Sequence, residues 1–312
     1  MSPSNSKKLV YLDPLIITPQ ALHRTTLVIL HGRGSTAEKF ANPLLEHPVA
    51  ALGTEPPKPF RFYFPHTKFV FPTAPLRRAV AFKRSLTHQW FDNWSLSQPE
   101  LKQHLQIPGL QETSEYLHKL LKDEINIVGE ANVVLMGLSQ GCAASLICTM
   151  LWNGDAFGAV VGMCGYLPLR KSMAEFTEGG TNEEDNPFAG SDLEEDMLIR
   201  EASGPRIGES KLERAIAWLR AELQANDGHS PSRVASGIKD IPVFMGHGSE
   251  DEKVPNEINK LAAEFLSSIG VTVERKEYQE LGHWYSDSML RDIVEFLKRL
   301  KGWNDMAVDK AG

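Results

Sequence analysis

The sequence predicts an α/β fold: a mostly parallel, doubly wound sheet with helices on both faces. Three observations lead there. Short runs rich in apolar and β-branched residues recur along the chain. They are apolar at consecutive positions, as in strands covered on both sides, rather than at alternate ones. Helical patterns stand between them, giving the strand–helix–strand order of parallel sheets.

The first run is Leu27 to Leu30, followed by Phe69 to Phe71, Val133 to Met136, Ala159 to Met163 and Pro242 to Met245. Tyr116, Leu117, Leu120, Leu121 and Ile125 recur at helical spacing. So do Ile258, Leu261, Ala262, Phe265, Leu266 and Ile269. A strand-like run from Val271 to Tyr278 precedes a last helix with Leu290, Ile293, Val294, Leu297 and Leu300 on one face. No internal repeat is present.

The stretch from about residue 169 to 237 breaks this rhythm. Its first half is acidic, with Glu175, Glu178, Glu183, Glu184, Asp185, Asp192, Glu194, Glu195 and Asp196 facing little basic charge. Its second half predicts a helix with Leu212, Ile216, Leu219 and Leu223 on one face. We read residues 1–312 as a single domain carrying a long insertion at about 169–237. Two readings of its acidic half stand: disorder, or a lid over the substrate pocket.

The 312 residues suffice for one large domain with a sizeable core. A net charge of -7 argues against bulk electrostatic binding of nucleic acid or anionic membranes. No apolar run approaches the roughly 20 residues of a membrane helix. Neither a secretory signal nor a lipid-anchor motif is expected. Cys142, Cys148 and Cys164 lie in apolar surroundings without histidines at metal spacing, so buried free thiols, a cytoplasmic location and no metal site are expected.

The chemistry centres on Gly137-Leu138-Ser139-Gln140-Gly141. An apolar strand precedes it and a helical run through Ala143, Ala144, Leu146, Ile147 and Met150 follows, the context of a nucleophile elbow. The turn strains the serine backbone, and the two glycines remove side chains that would collide. Ser139 then stands at a helix N-terminus, where the dipole favours developing negative charge.

A serine hydroxyl needs a base, and in this arrangement the chain order is serine, acid, histidine. His283, in Leu281-Gly282-His283-Trp284, falls between the last strand and the last helix and is the candidate base. Glu250 and Asp251 both follow the apolar run ending at Gly248. Either satisfies the chemistry of the orienting acid. Asp251 is preferred because it precedes Val254-Pro255, the exit into the next helix. His247 precedes the acid and is read as a loop brace. For the oxyanion hole, the backbone N–H of Gln140 is one expected donor. The loop His31-Gly32-Arg33-Gly34, after the first strand, supplies the Arg33 N–H as the other. The Arg33 side chain is expected to face solvent.

With these residues placed, the chain resembles the phospholipase/carboxylesterase family of α/β-hydrolases, which contains the acyl-protein thioesterases. The likeness spans roughly residues 25–165 and 240–300. It rests on His31-Gly32-x-Gly34; on Phe71-Pro72-Thr73-Ala74-Pro75 with Trp90-Phe91-Asp92; on the Ser139 elbow with its following Gln; and on His247-Gly248-x-x-Asp251-x-x-Val254-Pro255 with Gly282-His283. The resemblance implies the α/β-hydrolase fold, hydrolysis of carboxylic esters or thioesters without a cofactor, lipidated proteins among the substrates, and Asp251 rather than Glu250 as the acid. It also sets the Trp90 loop beside the site, which leaves Trp90 either in the core or in the wall of a substrate pocket. The chain departs from the thioesterase pattern at Arg33 (usually Leu), Ser35 (usually Asp) and Cys142 (often Gly), and in the long insertion. These departures spare the triad and bear on the acyl pocket. Two alternatives to a thioesterase stand: a general short-chain carboxylesterase, and a non-catalytic binding protein on the same scaffold.

Overall fold

The computed structural model describes residues 9–50, 56–178, 208–225 and 228–304. Most of the acidic half of the insertion, residues 179–207, lies outside the described residues, and with it the expectations of disorder and of a lid.

Seven strands form the central sheet: β1 (Leu15–Ile17), β2 (Thr25–Leu30), β5 (Thr67–Phe71), β8 (Val133–Leu138), β9 (Ala159–Met163), β10 (Val243–Gly248) and β11 (Val273–Tyr278). Their spatial order is β1-β5-β2-β8-β9-β10-β11. Every neighbouring pair is parallel except β1–β5, where Leu15 opposes Phe71. Two short antiparallel pairs lie apart from it: β3 (Pro48–Val49) with β4 (Lys58–Pro59), and β6 (Leu76–Ala79) with β7 (Ser85–His88).

The helices are α1 (Ala37–Leu45), α2 (Ile107–Val128), α3 (Gln140–Met150), α4 (Arg170–Glu178), α5 (Lys211–Glu222), α6 (Pro231–Lys239), α7 (Asn256–Ser268) and α8 (Asp287–Lys298). They divide between the two faces. Val28, Leu30, Val133, Leu135 and Val160 point into a core shared with α2, α3, α5, α6 and α7. Leu27, Ile29, Val134, Met136 and Val161 point the other way, against α1 and α8. Successive residues of a strand thus enter opposite cores, which is why the runs read as continuously apolar. Each such side chain stabilises the fold by roughly 1.5–3 kcal/mol through burial.

Helix α5 carries the predicted stripe of Leu212, Ile216 and Leu219 into the first core, joined by Leu223. Helices α4 and α6, not anticipated from the sequence, bring in Met173, Val234 and Ile238. The ends of the insertion therefore belong to the packed body. The doubly wound architecture anticipated from the sequence is present, with one antiparallel edge strand added.

Candidate active site

Ser139 follows β8 directly and caps α3, with φ 56° and ψ −117°. L-residues rarely adopt that backbone, and here the surroundings impose it. Its N–H donates to Met163 O at 2.7 Å. A Cβ on Gly137 would sit 2.3 Å from the carbonyl carbon of Gly141, and one on Gly141 would sit 2.5 Å from Leu30 O. Backbone blocks both positions, so glycine is required at each.

The Ser139 Oγ lies 2.8 Å from His283 Nε2, and His283 Nδ1 lies 2.7 Å from Asp251 Oδ2. His283 stands in the loop between β11 and α8, and Asp251 in the turn after β10. The structure thus gathers the three residues at the C-terminal ends of parallel strands, where α/β sheets place their sites. Asp251 is buried, while Glu250 is exposed. Burial pushes the Asp251 carboxyl up, but hydrogen bonds from His247, His283 and Val254 outweigh it and hold it well below the usual carboxylate range. The carboxylate is then acceptor-only, so His283 carries its proton on Nδ1 and leaves Nε2 to accept from the serine hydroxyl. Asp251 Oδ1 accepts from the N–H groups of Lys253 and Val254 at 3.0 and 2.9 Å, which fixes its plane.

His247, read from the sequence as a loop brace, is fully buried at the end of β10. Its Nε2 lies 2.8 Å from Val254 O and 3.1 Å from Asp251 Oδ2. Both are acceptors, so Nε2 carries the proton. The brace therefore also touches the acid.

The loop after β2 passes over the serine: a Cβ on Gly32 would come within 3.5 Å of Ser139 Cβ. His31 holds that loop. Ala74 N–H donates to its Nε2 at 3.1 Å, so the ring proton is on Nδ1, which donates to Gly32 O at 2.7 Å. Burial lowers the His31 pKa to about 4, so the ring stays neutral. Gln140, the first residue of α3, keeps a backbone N–H with no acceptor inside the helix. Its side chain accepts from Trp90 N–H at 2.9 Å and donates to Phe91 O at 2.7 Å. This explains a glutamine after the nucleophile: it ties the elbow to the 90–91 segment.

Trp90 corrects one expectation. It has 0% exposure and its Nε1 donates to His31 O at 2.8 Å. A ring closed off from solvent does not line a substrate pocket; Trp90 is a strut beneath the His31 loop. On its other side, Thr113 Oγ1 donates to Trp90 O at 2.6 Å, and a Cβ on Gly109 would meet Phe91 Cα at 2.5 Å, so α2 presses the strut into place. Trp284, next to His283 and 46% exposed, is a large apolar surface adjoining the candidate base, and no pattern in the sequence marks it.

The Arg33 side chain is a second correction. It does not extend into solvent but is half-buried, with Nη1 donating to Asn93 Oδ1 at 2.6 Å and the guanidinium 4.4 Å above the Phe82 ring. A planar, weakly hydrated cation stacks this way readily.

Cys142, Cys148 and Cys164 are free and buried, and burial pushes each thiol up, Cys164 to about 12. Among the described residues no group of His, Cys, Asp and Glu is arranged to hold a metal ion. No described helix is long and apolar enough to cross a membrane.

Comparison with known proteins gives the family and supports the fold. A sequence profile for phospholipase/carboxylesterase matches residues 12–200 and 212–301. Acyl-protein thioesterase 1 of Gibberella zeae is 24% identical over 292 residues, covering 92% of this chain and 95% of that protein. Carboxylesterase SOBER1 of Arabidopsis thaliana is 24% identical over 243 residues, 76% of this chain and 79% of the relative. In fold, the chain is similar to the crystal structure of Arabidopsis thaliana SOBER1, with a TM-score of 0.59 at 21% identity, covering 88% of this chain and 98% of the other. It is equally similar to that of Zea mays acyl-protein thioesterase 2, with a TM-score of 0.59 at 19% identity, covering 91% and 97%. The chain belongs to the phospholipase/carboxylesterase family of α/β-hydrolases.

Proposed function

We propose that this protein hydrolyses carboxylic esters or thioesters by acyl transfer through Ser139, His283 and Asp251. The observation that carries the proposal is the unbroken hydrogen-bond line from Ser139 Oγ through both His283 nitrogens to Asp251 Oδ2, at 2.8 and 2.7 Å.

In this reading His283 Nε2 takes the hydroxyl proton as Oγ attacks the acyl carbonyl. The N–H groups of Arg33 and Gln140 receive the oxyanion. His283 then returns the proton to the leaving alcohol or thiol, and water cleaves the acyl-enzyme by the same roles in reverse. The steps balance with water alone and need no cofactor. Three buried free thiols fit a reducing compartment, and on that basis we propose a cytoplasmic location.

Relatives named as acyl-protein thioesterases and as carboxylesterases leave two substrate readings, lipidated proteins or small soluble esters. The half-buried Arg33 guanidinium favours the second, because a cation beside the oxyanion loop is poorly suited to a long alkyl chain.

The test is hydrolysis of p-nitrophenyl esters from acetyl to palmitoyl, alongside a palmitoylated peptide thioester, with Ser139→Ala as control. Long-chain and thioester preference supports a thioesterase acting on lipidated protein. Short-chain preference without thioester turnover supports a carboxylesterase. Activity that survives Ser139→Ala overturns the mechanism.

A further inference from the structure

Trp284 follows the candidate base in the chain, and its ring is held from below. It stacks on Tyr285, with centroids 4.9 Å apart and planes 29° apart, and meets Phe40 edge-on at 6.2 Å. Phe40 and Tyr285 are both buried, so the ring rests on a floor that belongs to the core, while 46% of Trp284 stays open to solvent. Its backbone is fixed as well. Trp284 N–H donates to Gly282 O at 2.8 Å, closing a tight turn around His283, and Trp284 O accepts from Cys164 Sγ at 3.1 Å. A single exposed apolar side chain is ordinary on a protein surface. This one is rigid, and a rigid ring loses little conformational freedom when a ligand packs on it.

The position of the ring relates it to the reaction. Phe40 lies in the first turn of α1, the helix that leaves the His31–Gly34 loop, and that loop passes over Ser139. Trp284 therefore bridges the loop carrying the base and the helix behind the oxyanion loop. Within the triad Ser139 and Asp251 are buried, and the His283 side chain keeps 13% of its surface open. In the proposed reaction the carbonyl oxygen turns to the N–H groups of Arg33 and Gln140, while His283 Nε2 hands its proton to the leaving oxygen. The leaving oxygen thus lies against the imidazole. The group it carries emerges on the His283 side of the site, where Trp284 stands.

We propose that Trp284 determines specificity for the leaving group: its open face receives an aromatic ring on the alcohol side of the ester. The proposal rests on the acyl-transfer reading above and specifies one half of the substrate. An aromatic group is favoured over an aliphatic one because it extends the stack of Tyr285 and Trp284 by a further ring, and offset aromatic pairs add to the gain from apolar area alone.

The experiment measures kcat/KM in a pH-stat for benzyl acetate, ethyl phenylacetate and ethyl acetate. Benzyl acetate carries the ring on the alcohol side and ethyl phenylacetate carries it on the acyl side, each compared with ethyl acetate. The proteins are the wild-type chain, Trp284→Ala and Trp284→Phe, with p-nitrophenyl acetate as a gauge of general activity. Taking the benzyl-to-ethyl ratio within each protein removes any general loss in a variant. Loss of the ring predicts that Trp284→Ala lowers this ratio about tenfold, while Trp284→Phe keeps most of it and the acyl-side ratio stays as in wild type. A benzyl-to-ethyl ratio that is unchanged in Trp284→Ala, that falls as far in Trp284→Phe, or that falls no further than the acyl-side ratio overturns the assignment. So does a wild-type chain that cleaves p-nitrophenyl acetate but not benzyl acetate, and in each of these cases ester hydrolysis stands. If the wild-type chain cleaves none of the four esters, the acyl-transfer reading falls and the role of Trp284 with it.

Discussion

His247 Nε2 lies 3.1 Å from Asp251 Oδ2, the oxygen that accepts from His283 Nδ1 at 2.7 Å. Two imidazoles thus converge on one carboxylate oxygen, and only one of them faces the serine. His247 is a positioning residue: its proton steadies the Asp251 anion and tempers its pull on His283. The titratable groups around this oxygen are His247, His283 and Cys164, whose thiol is held protonated by burial.

Replacing His247 by leucine removes that donor. The Asp251 carboxyl then rises towards its ordinary range, and its oxygen is held less firmly towards His283. A loss of about tenfold or more in kcat/KM at neutral pH is expected, the worth of a hydrogen bond to a charged group. His247→Gln places an amide N–H near the Nε2 position and should restore most of the activity. If the leucine variant keeps the wild-type kcat/KM, the donor has no part in positioning the acid.

The two neighbouring acids separate cleanly. Asp251→Asn should lower kcat by about 10⁴ with little change in KM, through loss of the tautomer that leaves Nε2 free to accept. Glu250→Gln, at an exposed position, should stay within a few-fold of wild type. Steady-state kinetics of the two variants decides between them, and a large loss in the glutamate variant would contradict the assignment.

The elbow glycines predict a stability result. With backbone 2.3 Å from the position of a Cβ, Gly137→Ala has no side-chain rearrangement available to relieve the clash. A loss of about 2–5 kcal/mol in urea unfolding is expected, on the scale of overpacked or strained core positions. Gly208→Ala has open space around it and only its φ of +99° against it, so it should cost about 1–2 kcal/mol.

His31 sets a pH dependence. Its folded pKa of about 4 lies below the ordinary histidine value, so between those two pH values the unfolded chain binds the extra proton. Stability therefore rises with pH across that window and falls as pH drops through it, by on the order of 3 kcal/mol at the acid end. Urea unfolding at pH 7 and pH 4.5 should show a steeper loss in wild type than in His31→Gln, which has no group titrating there. Equal slopes would mean that the ring is not held neutral.

Much of this was legible in the sequence because local rules determine it. Runs buried on both faces read as parallel strands. The glycine-flanked serine between a strand and a helix read as an elbow. The order of Ser139, Asp251 and His283 followed from where strands end. Less legible were β1, whose Leu15-Ile16-Ile17 is only three residues long and partly exposed, and the β6–β7 pair, which is short, largely polar and partly exposed and has no apolar run to mark it. The burial of Arg33 is illegible for a related reason: the exposure of a long charged side chain depends on Phe82 and Asn93, some fifty and sixty residues further on. Trp90 is ambiguous in sequence because a buried strut and a pocket wall have the same composition. Which residue types stand at the ends of which strands is already written in the chain, since periodicity and turn chemistry are properties of neighbours along it. That His247 shares an oxygen with His283, that Trp90 is closed off, and that Arg33 turns inward emerge with the fold alone, because hydrogen bonds and burial between distant segments exist only once the sheet has brought those segments together.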